Sequence, residues 1–203
     1  MQVDELIAQC APQVSPVLMQ ALVRAESSWR PYAIGMDKAQ GTVKQPATLP
    51  EAIATAKELA VAGRKFSVGL AQIHVSNVAL YGMTWEQAFD ACQNLAVGQK
   101  ILWNFYHRAS ASGYSGVAAI WAALRGYNSG GVDRAVSDEY ANRIFAYMSS
   151  AQPQVQLGTS VSVTAPATAA SVLPVAVTPA HSTEAKHPRE SLDIFGRTKQ
   201  AGF

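Results

Sequence analysis

Residues 1–149 contain a series of short segments in which apolar residues recur at every third or fourth position. In one of these segments, Leu18, Ala21, Leu22 and Ala25 fall on a single face of a helix. Alternating apolar and polar runs, which would indicate half-buried strands, are not a feature of this region. The pattern therefore predicts a mainly α domain with little or no sheet.

The helix boundaries follow from proline, glycine and capping residues. Ser15 and Pro16 are typical of a helix start, and Thr84 with Gln87 forms a capping box. Residues 35–50 are expected to form a loop, and residues 66–73 a short extended or looped stretch. The predicted helices cover residues 3–11, begin at Pro16, Pro50 and Thr84, and cover residues 92–108, 115–124 and 137–148.

The composition changes abruptly after residue 150. Residues 151–183 contain no Asp, Glu, Lys or Arg and no Phe, Tyr or Trp, so they lack the large side chains that anchor a core. We expect residues 150–185 to form a disordered linker rich in Ala, Pro, Thr and Val. Residues 186–203 regain charges and carry Phe195 and Phe203. They are either a short docking peptide or part of a plain tail.

Charge and hydropathy exclude several functional classes. The formal net charge of the 203-residue chain is +2, and no basic stripe indicates nucleic-acid binding. No apolar run approaches the roughly 18 residues of a spanning helix, so no membrane span is expected. The four histidines are not spaced as metal ligands, so we expect no metal site, and we expect no cofactor. The N-terminus also lacks the basic and apolar regions of a signal peptide.

Two cysteines, Cys10 and Cys92, lie far apart in the sequence. They are either two buried thiols, which are common in protein cores, or one disulfide that joins the first helix to a later one. A disulfide would indicate an oxidising compartment. The spacing alone does not decide between these alternatives.

Three motifs contain the residue types that sugar chemistry needs. Glu26 ends an apolar helix and is either a solvated surface acid or a general acid whose pKa is raised by burial. Gln72 follows a glycine and offers an amide that both donates and accepts hydrogen bonds, although the segment is also compatible with an ordinary turn. Tyr127 and Asn128 lie at the end of a helix, where they either cap it or face a ligand.

Taken together, these motifs resemble those of the lytic transglycosylases of the goose-lysozyme-like (SLT) superfamily, in particular the group associated with type IV secretion and conjugation. The matching segments are Glu26-Ser27, Gly69 to Ile73, Tyr127 to Gly130, and Tyr140. The resemblance covers roughly residues 1–149 and implies a lysozyme-like helical domain. It also implies that Cys10 and Cys92 are paired, as the corresponding positions are in secretion-associated members.

The resemblance implies cleavage of peptidoglycan between N-acetylmuramic acid (MurNAc) and N-acetylglucosamine (GlcNAc), with formation of a 1,6-anhydro sugar. Glu26 would be the catalytic acid, and Ser27 and Gln72 would position either the acetamido group or the acid. Tyr127 and Asn128 would line the cleft. Tyr140 would donate a hydrogen bond to Glu26 and support its raised pKa.

The implied role is local opening of the cell wall for a secretion or conjugation apparatus in the periplasm. Peptidoglycan strands would be the binding partner, and the C-terminal tail would be the segment that contacts secretion components. Two alternatives remain at this stage. One is a hydrolysing lysozyme on the same fold, and the other is a non-enzymatic glycan-binding assembly factor.

Three departures from the family pattern concern the subsites. Ala71 stands where the family usually has methionine or phenylalanine, which predicts less apolar packing beside the acid. Gly126 replaces the usual alanine before the Tyr-Asn pair, and residues 36–50 form a longer loop than in many relatives. No second catalytic carboxylate is identified, because Asp37 lies in this loop and the other acids are predicted on helix surfaces.

Overall fold

The computed structural model describes residues 2–38 and 40–150 of the chain. This region is mostly helical, which confirms the predicted fold class. The predicted linker beyond Ser150 and the C-terminal peptide 186–203 lie outside the described residues. The α-helices of the described part are α1 (Val3–Cys10), α2 (Pro16–Ser27), α3 (Leu49–Val61), α4 (Val75–Leu80), α5 (Trp85–Phe89), α6 (Ala91–Ala111), α7 (Gly116–Ser129) and α8 (Asp138–Ser149), with a 3₁₀ turn at Ala135–Ser137.

A small antiparallel sheet lies beside the helices. Its strands β1 (Ile34–Met36), β2 (Phe66–Val68) and β3 (Ile73–His74) pair in the order β1-β2-β3. The sheet refines two sequence predictions, since β1 occupies the start of the predicted loop and β2 and β3 the predicted extended stretch. Helix α4 was missed, because its six residues are too few to show a helical period.

The core forms where the long helices pack on each other. Helix α6 packs against α7 and α1, and α2 packs against α8. Fully buried side chains fill these contacts, and each contributes roughly 1.5–3 kcal/mol through removal of apolar surface from water. They include Leu18 and Leu22 of α2, Leu102 of α6, Leu124 of α7 and Ile144 of α8. Among the described helices, none combines the length and apolar character that crossing a membrane requires.

The disulfide is present and joins Cys10, the last residue of α1, to Cys92 in the first turn of α6. The two Cα atoms are 5.1 Å apart. The pairing that the family resemblance implied is therefore confirmed. Because it connects positions 82 residues apart, it closes a large loop that contains α2 to α5 and the whole sheet.

A buried asparagine that the sequence analysis did not single out fixes the turn between β2 and β3. Asn94 donates from Nδ2 to the carbonyl oxygens of Val68 (3.0 Å) and Ala88 (2.7 Å), and its Oδ1 accepts from the Ala71 backbone N–H at 2.7 Å. Gly69 has a φ of 80°, and a Cβ there would collide with the Asn94 amide. This turn therefore holds its conformation through buried hydrogen bonds, and it carries the glutamine of the second motif.

Candidate active site

A cleft of about 970 Å³ lies between the sheet and the helical part of the protein. Its walls come from the end of α2, from β1 to β3, from α4 and from α6 and α7. Three segments that lie far apart in the sequence line this cleft: the end of α2, the glycine turn and the Tyr-Asn segment. Four residues of the predicted site line it: Glu26, Gln72, Tyr127 and Asn128.

Glu26 lies in the last turn of α2 and is half-buried at the cleft wall. Burial disfavours its ionised form and raises the pKa of its carboxyl from 4.5 to about 7. The hydrogen bond from Tyr140 and the positive charge of Arg143 act in the opposite direction and limit this rise. The acid therefore exchanges its proton close to neutral pH, which is the range in which a group both donates and accepts protons effectively.

Tyr140 on α8 is only 6% exposed, and its hydroxyl donates a hydrogen bond to Oε1 of Glu26. Burial, followed by the charge of Glu26, raises the pKa of the Tyr140 phenol well above 10, so the phenol stays neutral. The predicted contact is present, but its predicted effect on the pKa was wrong. A hydrogen bond donated to a carboxylate favours the ionised form, so this contact lowers the pKa of Glu26 while it orients the side chain.

Replacing Tyr140 by Phe is expected to raise the pKa of Glu26 by about one unit, because one hydrogen bond to the carboxylate is lost. A general acid acts in its protonated form, so an activity that uses Glu26 in this role falls as the pH rises through this pKa. The alkaline limb of the profile should then move to higher pH. The measurement is the initial rate of glycan release between about pH 5 and 9 at low substrate.

Tyr147→Phe is the matched control, since Tyr147 is on the same helix, stacks on Arg24 at 4.2 Å and does not line the cleft. Its profile should coincide with that of the wild type. An alkaline limb that stays in place or moves to lower pH in Tyr140→Phe would show that this hydrogen bond does not set the pKa of the acid.

Tyr127 connects the glycine turn to the helices. Its hydroxyl donates to the Ala71 carbonyl at 2.6 Å, and burial raises the pKa of its phenol well above 10. A Cβ at Gly98 of α6 would lie 2.6 Å from the Ala71 Cβ and 3.2 Å from the Tyr127 hydroxyl. The α6 backbone thus approaches closely at Gly98 and packs against the small Ala71, which is fully buried.

Gln72 has a left-handed backbone, with φ at 48°, and its amide is held by the protein. Nε2 donates to the carbonyl oxygens of Ala33 (3.1 Å) and Gly69 (2.8 Å). Oε1 lies against Gly35, where any Cβ would collide with it. Because both amide hydrogens are used internally, the group that Gln72 offers to a ligand in the cleft is the acceptor Oε1.

Asn128 and Ser27 differ in their access to the cleft. Asn128 is exposed, and its Nδ2 donates to Ser137 Oγ at 3.0 Å, so its Oδ1 is oriented as an acceptor. Ser27 is only 1% exposed, and its hydroxyl donates to the Val23 carbonyl at 3.2 Å within α2. Of the two predicted roles for Ser27, its position favours holding the helix end beneath the acid over contact with substrate.

The sheet side of the cleft carries a polar group that the sequence analysis did not assemble. His74 Nε2 lies 3.6 Å from Asp37 Oδ2, and its Nδ1 lies 2.7 Å from Ser76 Oγ. His74 also caps α4 through the Ser76 backbone N–H. Asp37 therefore does line the cleft, where His74 pairs with its carboxylate, although the loop assignment gave no reason to place it there.

The fold and the cleft define a class of protein: a helical domain with a sheltered carboxyl group that titrates near neutrality, surrounded by amide and phenol groups suited to sugars. The model of the transglycosylase SLT domain family matches residues 5–147, and the chain belongs to this family. No solved structure matches the chain.

Curated relatives agree with this assignment. The chain is 49% identical over 104 residues to the type IV secretion system protein virB1 of Brucella abortus, a match that covers 51% of this chain and 43% of that protein. It is 26% identical over 141 residues to the protein virB1 of Rhizobium radiobacter, covering 70% of this chain and 58% of the relative. The chain thus spans about half the length of the curated relatives it matches.

Proposed function

We propose that the protein is a peptidoglycan lytic transglycosylase that cleaves the β-1,4 bond between MurNAc and GlcNAc and forms a 1,6-anhydroMurNAc end. Glu26 carries this proposal, because burial raises the pKa of its carboxyl to about 7 and it lines the same cleft as Gln72 and Asn128. Membership of the transglycosylase SLT domain family supports the same reaction class.

In the first step, protonated Glu26 gives its proton to the glycosidic oxygen as the bond to the anomeric carbon breaks. The resulting carboxylate then takes the proton of the MurNAc C6 hydroxyl, whose oxygen bonds to the anomeric carbon. The acid is regenerated and no water is consumed. One carboxyl group serves both steps because the substrate supplies the nucleophile.

The surrounding residues act on geometry and protonation. Tyr140 holds the Glu26 carboxyl in one orientation and limits the rise of its pKa. Gln72 and Asn128 line the cleft, and their amide oxygens are acceptors that suit the N–H of an acetamido group or a sugar hydroxyl. Tyr127 fixes the turn that carries Gln72 through its bond to Ala71.

The rival reaction on this fold is hydrolysis, which needs a second carboxylate to activate water or attack the sugar. Asp37 is the acid on the sheet side of the same cleft, and His74 pairs with it. Arg143, and not a carboxylate, is the charged side chain whose field shifts the pKa of Glu26. These contacts favour the single-acid mechanism.

Product analysis distinguishes the two reactions. Digestion of purified cell-wall sacculi should release muropeptides whose MurNAc end is one water lighter than a reducing end. The measurement is mass spectrometry of the soluble products, with and without prior borohydride reduction, which modifies reducing ends only. Products that carry reducing MurNAc ends would replace this proposal with a hydrolysing lysozyme, and absence of any product would favour the glycan-binding assembly factor.

The names of the relatives support a proposal for the cellular role. Because those at 49% identity are named type IV secretion system proteins, we place the activity in the periplasm, at the local opening of the cell wall for a secretion or conjugation apparatus. Contact of the C-terminal segment 186–203 with secretion components is part of the same proposal.

A further inference from the structure

The cleft extends along one face of α6, well beyond the catalytic groups. Ile101, Asn104, Phe105 and Arg108 line it, and their spacing of three and four residues places them in one row along the helix. Gly98, where α6 meets the Tyr127 hydroxyl, is ten residues before Arg108. With a rise of 1.5 Å per residue, Arg108 lies about 15 Å further along the helix axis.

The departure at Gly126 explains how this end of the cleft is built. A Cβ at Gly126 of α7 would collide with the ring of Phe105. The usual alanine is therefore incompatible with this ring position, and the glycine lets the Phe105 ring pack onto the α7 backbone at the cleft wall. Glycine in place of alanine at position 126 thus allows the Phe105 ring to lie at the cleft wall.

The Phe105 ring in turn supports a cation. The guanidinium carbon of Arg108 lies 5.1 Å from the ring centroid, within the range of a cation–π interaction. This contact restricts where the guanidinium lies relative to the ring. Phe105 is half-buried and Arg108 is exposed, so the charge faces the open part of the cleft.

The polar contacts of Arg108 within the described residues differ from those of Arg24 and Arg125. Within residues 2–38 and 40–150, no hydrogen bond or ion pair engages its guanidinium, whereas Arg125 bonds Asp138 and Arg24 bonds Ser150. A guanidinium presents five N–H donors in a planar fork that matches the two oxygens of a carboxylate. An arginine placed in this way in the cleft is therefore suited to bind a carboxylate.

We propose that Arg108, held by Phe105, binds a carboxylate carried by the glycan strand and so makes the enzyme selective for acidic strands. This rests on the proposed function, and it names a substrate feature that the catalytic residues do not read. Two sources share this chemistry. One is the short acidic peptide attached to the muramic lactyl group, and the other is the lactyl carboxylate itself, which is free where the peptide has been removed.

The test compares Arg108→Ala with wild type on soluble strands that carry native peptides and on the same strands with every carboxylate amidated. On native strands the variant should have a half-saturating concentration about fivefold higher, with kcat within about twofold, as for a partly solvated charge pair. On amidated strands the two proteins should be equal. Comparing the variant effect between substrates cancels contributions from the other cleft cation, Lys38.

Lys100→Ala is the matched control, because Lys100 is an exposed cation of α6 outside the cleft, and it should behave as wild type on both substrates. Arg108→Lys should recover part of the affinity for native strands, since it keeps the charge but not the fork. Strands stripped of peptide identify the source: an Arg108 effect that is seen on native strands and lost on stripping assigns it to the peptide, and an effect that is seen only on stripped strands assigns it to the lactyl carboxylate.

Equal loss on native and amidated strands would overturn the proposal, because Arg108 would then act only by packing on Phe105. No loss on native, amidated or stripped strands would overturn it as well. Binding of the same strands to proteins that also carry Glu26→Gln, measured by co-sedimentation or titration, does not depend on turnover. Failure of the transglycosylase reaction is thereby distinguishable from failure of the carboxylate site.

Discussion

Replacing Glu26 by Gln is expected to lower the rate of glycan release by about three orders of magnitude, the size of effect typical for loss of a positioned general acid and base. Glutamine keeps the shape of the side chain and still accepts a hydrogen bond from Tyr140, but it cannot transfer a proton. The measurement is the initial rate of muropeptide release from sacculi, together with the masses of the products.

The same substitution should stabilise the protein at alkaline pH. The pKa of Glu26 rises from 4.5 to about 7 on folding, so the folded state holds its proton more tightly than the unfolded state. The contribution of protonated Glu26 to the stability of wild type is fully present below about pH 4.5 and is lost as the pH rises through about 7. At pH 8 the free energy of unfolding of the variant should therefore exceed that of wild type by on the order of 2–3 kcal/mol.

Glu58→Gln serves as the control, because Glu58 is an exposed acid on α3 and does not line the cleft. It should match wild type in both rate and stability. A Glu26→Gln protein that digests cell wall at a rate near that of wild type would remove Glu26 from the mechanism. A folded but inactive variant with unchanged stability at pH 8 would instead contradict the sheltered environment of the acid.

Loss of the disulfide is expected to produce the second large effect. Exchanging both Cys10 and Cys92 for Ala releases a link between positions 82 residues apart. Closing a loop of that length contributes about 4–5 kcal/mol in the chain-entropy model, and engineered examples often deliver less. The melting temperature should therefore fall by about 10 °C for a domain of this size.

Thermal unfolding of wild type with and without reductant provides the internal comparison. Reduced wild type should approach the double variant, and reductant should leave the double variant unchanged. If the double variant melts within about 2 °C of oxidised wild type, the link does not stabilise this fold, and the packing of α1 on α6 suffices.

Sequence alone predicted the long helices well, because α2, α6 and α7 carry apolar residues at helical spacing and end at recognisable caps. Helix α7 runs on to Ser129, with Gly130 in the left-handed conformation, so Tyr127 and Asn128 lie in its last turn. The small sheet and α4 were less predictable. Strands of two or three residues and a six-residue helix do not span enough sequence to show a period.

The candidate site was predictable as a set of motifs but not as a geometry. Glu26, Gln72, Tyr127 and Asn128 line one cleft, and Tyr140 reaches Glu26 from α8. The pairing of Asp37 with His74 and the anchoring role of Asn94 had no signal in the order of residues. Each depends on where distant segments meet.

The sequence by itself determined the helices, the motifs and the chemical types available for catalysis, because these depend on residue identity and on spacing within a few turns. The tertiary structure decided the rest. Only packing sets how far Glu26 is removed from water, and hence that its proton is exchanged near pH 7. Packing also determines that Gly126 on α7 leaves room for the Phe105 ring on α6, which contacts Arg108. Desolvation and close contact arise between segments distant in the sequence, so they exist only once the chain has folded.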